Sequence, residues 1–296
     1  MMKQQDSRLT VLMVILASVL IQPMITGQLS QLPVISSQQQ YSKGQGVVPL
    51  YRGWFRGPNG ERYVTFEYLN RNSEEIIQIP VGPNNKITPG PLDQGQPTYF
   101  LPGHQHGVFT VLTPKNPAQE ISWTLNIRDT TFTMPANLDP LYEIEGLINR
   151  GGSFPGNTPP KATLTPDEQT SQGPAGHTSF FTIDAAEQLL LELLVTDDGL
   201  PPRPEGNKVI RSLQRSYRRG DASVEGVTVT WNKYRGPGPI FFDNQSPIVH
   251  DGQALTRVRF DTPGDYMLHA LVSDGSGFDG CCWTNSYVKV TVETPK

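Results

Sequence analysis

Along most of the chain, apolar and polar residues alternate with a period of two. Val64, Phe66 and Tyr68 fall on one side of an extended segment, with Thr65 and Glu67 on the other. Ile121, Trp123, Leu125 and Ile127 form a second such stripe, and Val108–Leu112 is a further apolar run. The second half of the chain is more regular still. Val227, Val229 and Trp231 oppose Thr228 and Thr230; Tyr266, Leu268, Ala270 and Val272 follow; Val288, Val290 and Val292 oppose Lys289, Thr291 and Glu293. Side chains on a strand point to alternate faces, so this period predicts half-buried β-strands. Tyr51–Phe55 and Tyr63–Leu69 flank Gly57-Pro58-Asn59-Gly60, whose Asn-Gly pair predicts a hairpin turn. One segment conflicts with the rest. Asp184–Leu194 (DAAEQLLLELL) begins with an N-cap residue and continues with good helix formers. It runs on into Val195-Thr-Asp-Asp-Gly199, which reads as a strand entering a turn, and the whole segment is assigned to a strand.

Two breaks organise these elements. Residues 28–46 are rich in Gln and Ser without periodicity and read as a flexible leader. Residues 149–160, from Asn149 to Pro160, crowd Gly and Pro between patterned segments and read as a linker. The expectation is all-β: two antiparallel, Ig-like β-sandwich domains in tandem, at 47–148 and 161–294. A long segment from Gly82 to Gly107 is read as a loop of the first domain.

Composition supports this layout. The 296 residues hold 28 Gly and 27 Pro, suited to many short strands joined by turns. The formal charge of −4 does not point to nucleic acid, and no broadly basic surface is expected from it. Residues 1–27 read as a signal peptide: Lys3 and Arg8 precede the apolar stretch Val11–Ile21, and Gly27 offers a cleavage point. That stretch is shorter than the roughly 20 residues a membrane span needs. The mature chain is therefore expected outside the cytoplasm, periplasmic or extracellular, without a membrane span.

The second domain resembles a PKD-type immunoglobulin-like repeat. The likeness rests on Val195-Thr-Asp-Asp-Gly199, Val229-Thr-Trp231, Gly236-Pro-Gly238, Phe241, Phe260, Pro263-Gly-Asp-Tyr266 with Leu268, Ser273-Asp-Gly275 and the final Val288-x-Val290-x-Val292. It departs from that family at the Arg-rich stretch 203–222 and at Phe278–Asn285. Such repeats imply non-catalytic spacers or adhesion modules on exported proteins. The whole chain also resembles a group of uncharacterised exported bacterial proteins, through Gly53-Trp54, Tyr68-Leu-Asn-Arg-Asn72, Ile79-Pro-Val-Gly-Pro-Asn84, Asp93-Gln-Gly-Gln-Pro-Thr98, Gly107-Val-Phe109 and Cys281-Cys-Trp-Thr-Asn285. That group carries no assigned activity. It usually has a basic residue where this chain has His104.

Candidate chemistry is sparse. Cys281 and Cys282 are the only cysteines. In an oxidising compartment exposed thiols seldom stay free. A bridge between neighbours must work from a Cα separation of about 3.8 Å, where disulfides prefer about 4.4–6.8 Å. It would kink the chain and present Trp283 to a flat ligand such as a sugar ring. The alternatives are two small buried side chains with Trp283 in the core, or a link between chains. His104 and His106 stand two apart, so both imidazoles face one side of an extended segment and could hold copper or zinc with a third ligand. Asp93 and His250 are candidates for that ligand without a sequence tie. Asp197, Asp198 and Asp274, with Asp243, Asp261 and Asp265, sit at expected strand ends; they either converge to offer oxygens to calcium or simply make turns. Lys208, Arg211, Arg215, Arg218 and Arg219, with Tyr217, form one basic stretch, suited to anionic surfaces or to a solvated loop.

No Gly-x-Ser-x-Gly, His-Glu-x-x-His or phosphate-binding loop motif is present. The leading expectation is therefore an exported, non-enzymatic binding or structural module without a cofactor, its partner an envelope or extracellular protein or glycan. Aromatic and Arg side chains dominate binding when exposed, which singles out Trp54, Tyr68, Asn70, Arg71 and Phe100 on the first domain and Trp283 on the second. One alternative is a metal protein or enzyme built on His104 and His106. Another is a carbohydrate-binding module built on Trp283.

Overall fold

The structure is a computed structural model that describes residues 41–114, 120–144, 156–165, 167–200, 226–276 and 282–294. Apart from one 3-10 turn at Pro140–Tyr142, every regular element among these residues is a β-strand, and they belong to one compact unit. The N-terminal 40 residues, assigned to the signal peptide and most of the leader, lie outside the described residues, as do Cys281, the basic stretch 203–222 and residues 149–155 of the expected linker.

The first half builds small sheets. β1 (Val47–Arg56), β2 (Arg62–Asn70) and β6 (Gly103–Leu112) form one, in the order β1-β2-β6. β4 (Asn85–Thr88), β7 (Ile121–Ile127) and β8 (Thr130–Ala136) form a second, in the order β4-β7-β8. β3 (Ile77–Gln78) pairs with β5 (Tyr99–Phe100). The predicted β1–β2 hairpin is present, with Gly60 at φ +84° in its turn. The β7–β8 hairpin turns on Arg128 and Asp129, both at positive φ (51° and 60°). Tight hairpin turns need such angles and usually take Gly or Asn there. Here the ion pair of Arg128 with Glu75 (2.6 Å) and its hydrogen bond to the Gln45 carbonyl hold the conformation.

Two sheets face one another in the second half. β9 (Lys161–Thr165), β10 (Gln169–Gln172), β12 (Gln188–Thr196), β14 (Ile240–Phe242) and β15 (Gln253–Phe260) run in the order β10-β9-β12-β15-β14. β11 (His177–Asp184), β13 (Thr228–Arg235), β16 (Gly264–Ser273) and β17 (Trp283–Glu293) run β11-β17-β16-β13. Every pairing in the two sheets is antiparallel except β11 with β17. Leu191, Leu193, Val258, Trp231, Leu268, Val288 and Val290 fill the space between them. β12 confirms the strand assignment of the helix-like segment. It looked helical because leucines occupy both faces: Leu191 and Leu193 are buried, while Leu190 and Leu194 are exposed.

The halves share a seam. Buried Tyr234 and Tyr287, from β13 and β17, belong to the same apolar cluster as Phe66, Phe100, Phe109 and Trp123 of the first half. Tyr287 donates its hydroxyl to the Val108 carbonyl (3.0 Å), and the Thr98 amide donates to the Tyr234 carbonyl (3.2 Å). Arg235 grips Asp93 with two nitrogens (2.7 and 2.8 Å) and donates to the Gln96 carbonyl (2.9 Å). This contact lowers the Asp93 carboxyl below its ordinary range, chiefly through the hydrogen bonds from Arg235.

Two expected loops are not loose. Residues 41–46, placed in the leader, are tied to the end of β2: the Ser73 amide donates to the Tyr41 carbonyl (2.9 Å), and the Gln45 amide to Asn72 (2.7 Å). The Gly82–Gly107 segment contains β4, β5 and the start of β6. Asn85 is fully buried inside it, donating to the Ile79 and Pro97 carbonyls and accepting from the Trp123 indole. A buried amide with its hydrogen bonds met can order irregular backbone as firmly as a ladder does.

Tyr266 sets the corner between β13 and β14. Its hydroxyl accepts from the Gly238 amide (3.1 Å) and donates to the Thr262 carbonyl (2.7 Å), while its ring occupies the space a side chain at Gly236 would need. A Cβ there would lie 2.2 Å from the ring, on a backbone with φ +136°. Tyr266→Phe is expected to cost about 1–3 kcal/mol, for a buried amide left unpaired. Gly236→Ala is expected to cost more than that, combining strain with overpacking. Urea denaturation of the two variants checks the order.

Candidate functional site

Glu67 lies in the middle of β2, the central strand of its sheet, and is 5 % exposed. The strand reads VTFEYL, so a carboxylate on the face opposite Phe66 and Tyr68 was expected to meet solvent. It does not, because Trp283 and Ile144 are buried in a cluster with Phe55, flanked by Tyr63, on that side of the sheet. A buried carboxylate must find donors, and bulges in both neighbouring strands accompany them.

On the β6 side, Phe66 pairs with Phe109 and Tyr68 with Gln105, which leaves Glu67 facing His106, Gly107 and Val108. On the β1 side, Tyr51 pairs with Phe66 and Gly53 with Thr65, so Arg52 is the residue squeezed out of register. Extra residues of this kind re-aim side chains next to a strand. His104 Nε2 and His106 Nδ1 both reach Glu67 Oε2, at 3.1 and 3.2 Å. The Gly107 amide donates to Oε1 (3.3 Å), and Arg52 Nε stands 3.7 Å from the same oxygen. The two imidazoles are in ring contact, with centroids 3.6 Å apart. One oxygen is thus held by backbone and guanidinium, and the other is turned to both histidines. Gly107 has φ +59°, and a Cβ on it would fall 2.6 Å from the Trp283 indole nitrogen, so glycine suits the bulge for two reasons.

The pairing of His104 with His106 on one side of the strand is as the spacing predicts. The suggested third partners are elsewhere. Asp93 is engaged by Arg235, and His250 sits exposed beside Asp251 (3.0 Å). Glu67 takes their place. Among the described residues it forms with His104 and His106 a group whose ligand atoms lie within 4.8 Å of one another.

The acidic residues of the second half do not converge as one set. Asp265 and Asp274 flank β16 at its two ends, about 30 Å apart at a strand's rise per residue. Asp197, Asp198 and Asp274 do share one end, close enough for their charges to interact, and each accepts local hydrogen bonds. The Gly199 amide donates to Asp197, the Thr158 amide and hydroxyl to Asp198, and Ser276 and Asn157 to Asp274. Burial, reinforced by Asp198 and Asp274, pushes the Asp197 carboxyl up to about 6. These are the turn and cap roles of Asp.

The residues singled out for binding are mostly interior. Trp54, Tyr68, Asn70, Phe100 and Trp283 are all buried, so their faces are closed to a ligand from solvent. Trp54 donates to the Asp139 carbonyl, Tyr68 accepts from the Leu101 amide, and Asn70 bridges the Glu75 and Phe100 carbonyls. Arg71 alone of the set is exposed. Cys282 is buried and its sulfur is disulfide-bonded. The Trp283 ring packs at the seam instead of projecting from a rim, which removes the basis of the carbohydrate reading.

Two buried groups make stability depend on acidity in separate ranges. For Glu67, burial raises the carboxyl, but hydrogen bonds from His104 and His106, with the charge interactions of His106 and Arg52, outweigh it and hold the group down at about 2. Its contribution is complete above the ordinary value of 4.5 and is lost as pH falls toward 2. For His269, burial lowers the imidazole to about 4, only partly offset by its hydrogen bond with Asn285. The unfolded chain takes that proton more readily, so stability falls as pH drops from 6.5 and the loss is complete below about 4. Each group contributes on the order of 3 kcal/mol. Unfolding free energies measured from pH 7 to pH 2 are expected to lose the upper slope in His269→Gln and the lower slope in Glu67→Gln.

No family model and no curated protein matches this chain. Solved structures similar to it include the D00-D0 domain of Intimin (11 % identity, TM-score 0.26, covering 84 % of this chain and 100 % of that one). Domains 4 and 5 of the S-layer protein SbsC are similar at 10 % identity and TM-score 0.22, over 62 % of this chain and 71 % of theirs. A protein of unknown function from Porphyromonas gingivalis W83 is similar at 8 % identity and TM-score 0.24, over 84 % of this chain and 100 % of that one. At these values the likenesses carry no inference about what this chain does.

Proposed function

We propose that the protein is an exported, non-catalytic module in which two β-sandwiches act as one rigid body, presenting a surface to an envelope or extracellular protein or glycan. The observation that carries this reading is the seam. A flexible tether would leave the outer face of the β13-β16-β17 sheet polar, whereas here Tyr234, Tyr287 and Trp283 are buried on it against the first half. Interfaces of this kind, apolar at the centre and ionic at the rim, resist relative motion of domains. The PKD-type reading of the second sandwich fits the same role, that of a spacer holding its neighbour at a fixed angle. No helix of the described residues is long and apolar enough to cross a membrane.

Export is tested by the intact mass of the protein recovered from outside the cytoplasm, expected to begin at Gln28; an unprocessed chain found only in the cytoplasm overturns it. Rigidity is tested by calorimetry. The wild-type chain is expected to unfold in one transition, and Arg235→Met to lose about 1–3 kcal/mol, the worth of charge-assisted hydrogen bonds, with the first half melting ahead of the second. Two separate transitions in the wild type would show that the halves are independent.

A further inference from the structure

We propose that Glu67, His104 and His106 bind one divalent transition-metal ion, zinc(II) or copper(II), with a coordination position left open to solvent. Two imidazoles and one carboxylate are a ligand set for such ions, and three protein ligands with an open place distinguish reactive or exchangeable sites from closed structural ones. The spacing of the ligand atoms is close to what an ion needs, and the two imidazoles, with ring centres 3.6 Å apart, have to splay to aim their lone pairs at it. With bonds of roughly 2.0–2.1 Å, neighbouring ligand atoms of a tetrahedron stand about 3.3 Å apart. The two histidine nitrogens lie 3.1 and 3.2 Å from Glu67 Oε2, and all three atoms fall within 4.8 Å of one another.

The surroundings add a second argument. A ligating carboxylate is oriented by hydrogen bonds to its other oxygen, and Oε1 receives the Gly107 amide with Arg52 beside it. Access is graded: the Glu67 side chain is 6 % exposed, His106 23 % and His104 40 %, so an ion would be approached from the His104 side. The Arg52 charge opposes a cation, which makes the expected affinity modest. It leaves the ligand set intact.

The test is titration of the purified wild-type chain with zinc chloride and, separately, copper chloride, followed by calorimetry and by metal analysis after gel filtration. One equivalent is expected to bind, with a rise in melting temperature. His104→Ala removes the most exposed ligand and is the variant least able to disturb the fold. It is expected to weaken binding by more than the roughly 10–100-fold that loss of an outer-shell partner costs, with an unchanged circular dichroism spectrum. His106→Ala and Glu67→Gln are expected to follow. The proposal is overturned if neither ion binds at one equivalent, or if a folded His104→Ala binds as tightly as the wild type, which would place the ion elsewhere, for example at His250 and Asp251.

Discussion

The β13-β16-β17 surface has to be covered on both sides, and much of the remaining architecture follows from that requirement. From Trp283 to Val288 every residue of β17 is buried, and only beyond Val288 does the strand return to alternation. A sandwich strand normally buries one face. A strand that buries both needs a second layer, and the first half supplies it. Asn285 is therefore interior on the outer face with Trp283 and Tyr287, while Thr284 and Ser286 share the inner face with Val288; Thr284 and Asn285 pin neighbouring loops. Thr284 accepts from the Gly173 amide, and Asn285 donates to the Pro174 carbonyl while meeting His269.

Buried amides perform the same service in the first half, where strands are short. Asn70, Asn72, Asn85 and Gln96 all bond to backbone carbonyls. Gln96 holds the turn at Leu92, and Asn70 joins β2 to the residues around β3 and β5. Irregular backbone cannot be buried without partners for its amides and carbonyls. Side-chain amides meet that need where the ladders run out, and so a long Gly- and Pro-rich stretch becomes part of the packed structure.

The all-β class and many of the strands were legible because period two is a local property. β1, β2, β6 and β7, and β12, β13, β16 and β17 of the second half, stand where the pattern places strands, whereas β9, β10, β11, β14 and β15 were not singled out. β8 was missed because Arg128-Asp129 is not a usual hairpin turn, and its outward residues Thr131 and Thr133 dilute the pattern. The seam was invisible for a different reason. An aromatic residue such as Tyr234, Tyr287 or Trp283 looks the same in a sequence whether it faces solvent, a ligand or another sheet. For the same reason the residues proposed for binding proved to be interior. His104 and His106 were found from their spacing, but Glu67 was not, since the cover over its face comes from far along the chain. The available signals were a lone acid inside an apolar strand and a glycine directly after the two histidines.

Gly107 and Trp283 lie far apart in sequence, yet the indole fills the volume that any side chain at 107 would claim. A lineage that enlarges the first position must shrink or turn the second at once, or lose the closure of the two halves. The two positions are therefore sterically coupled, and a change of volume at either is felt at the other. Because the histidine pair borders that glycine, drift at the tryptophan would also change the shape of the strand on which both imidazoles are mounted.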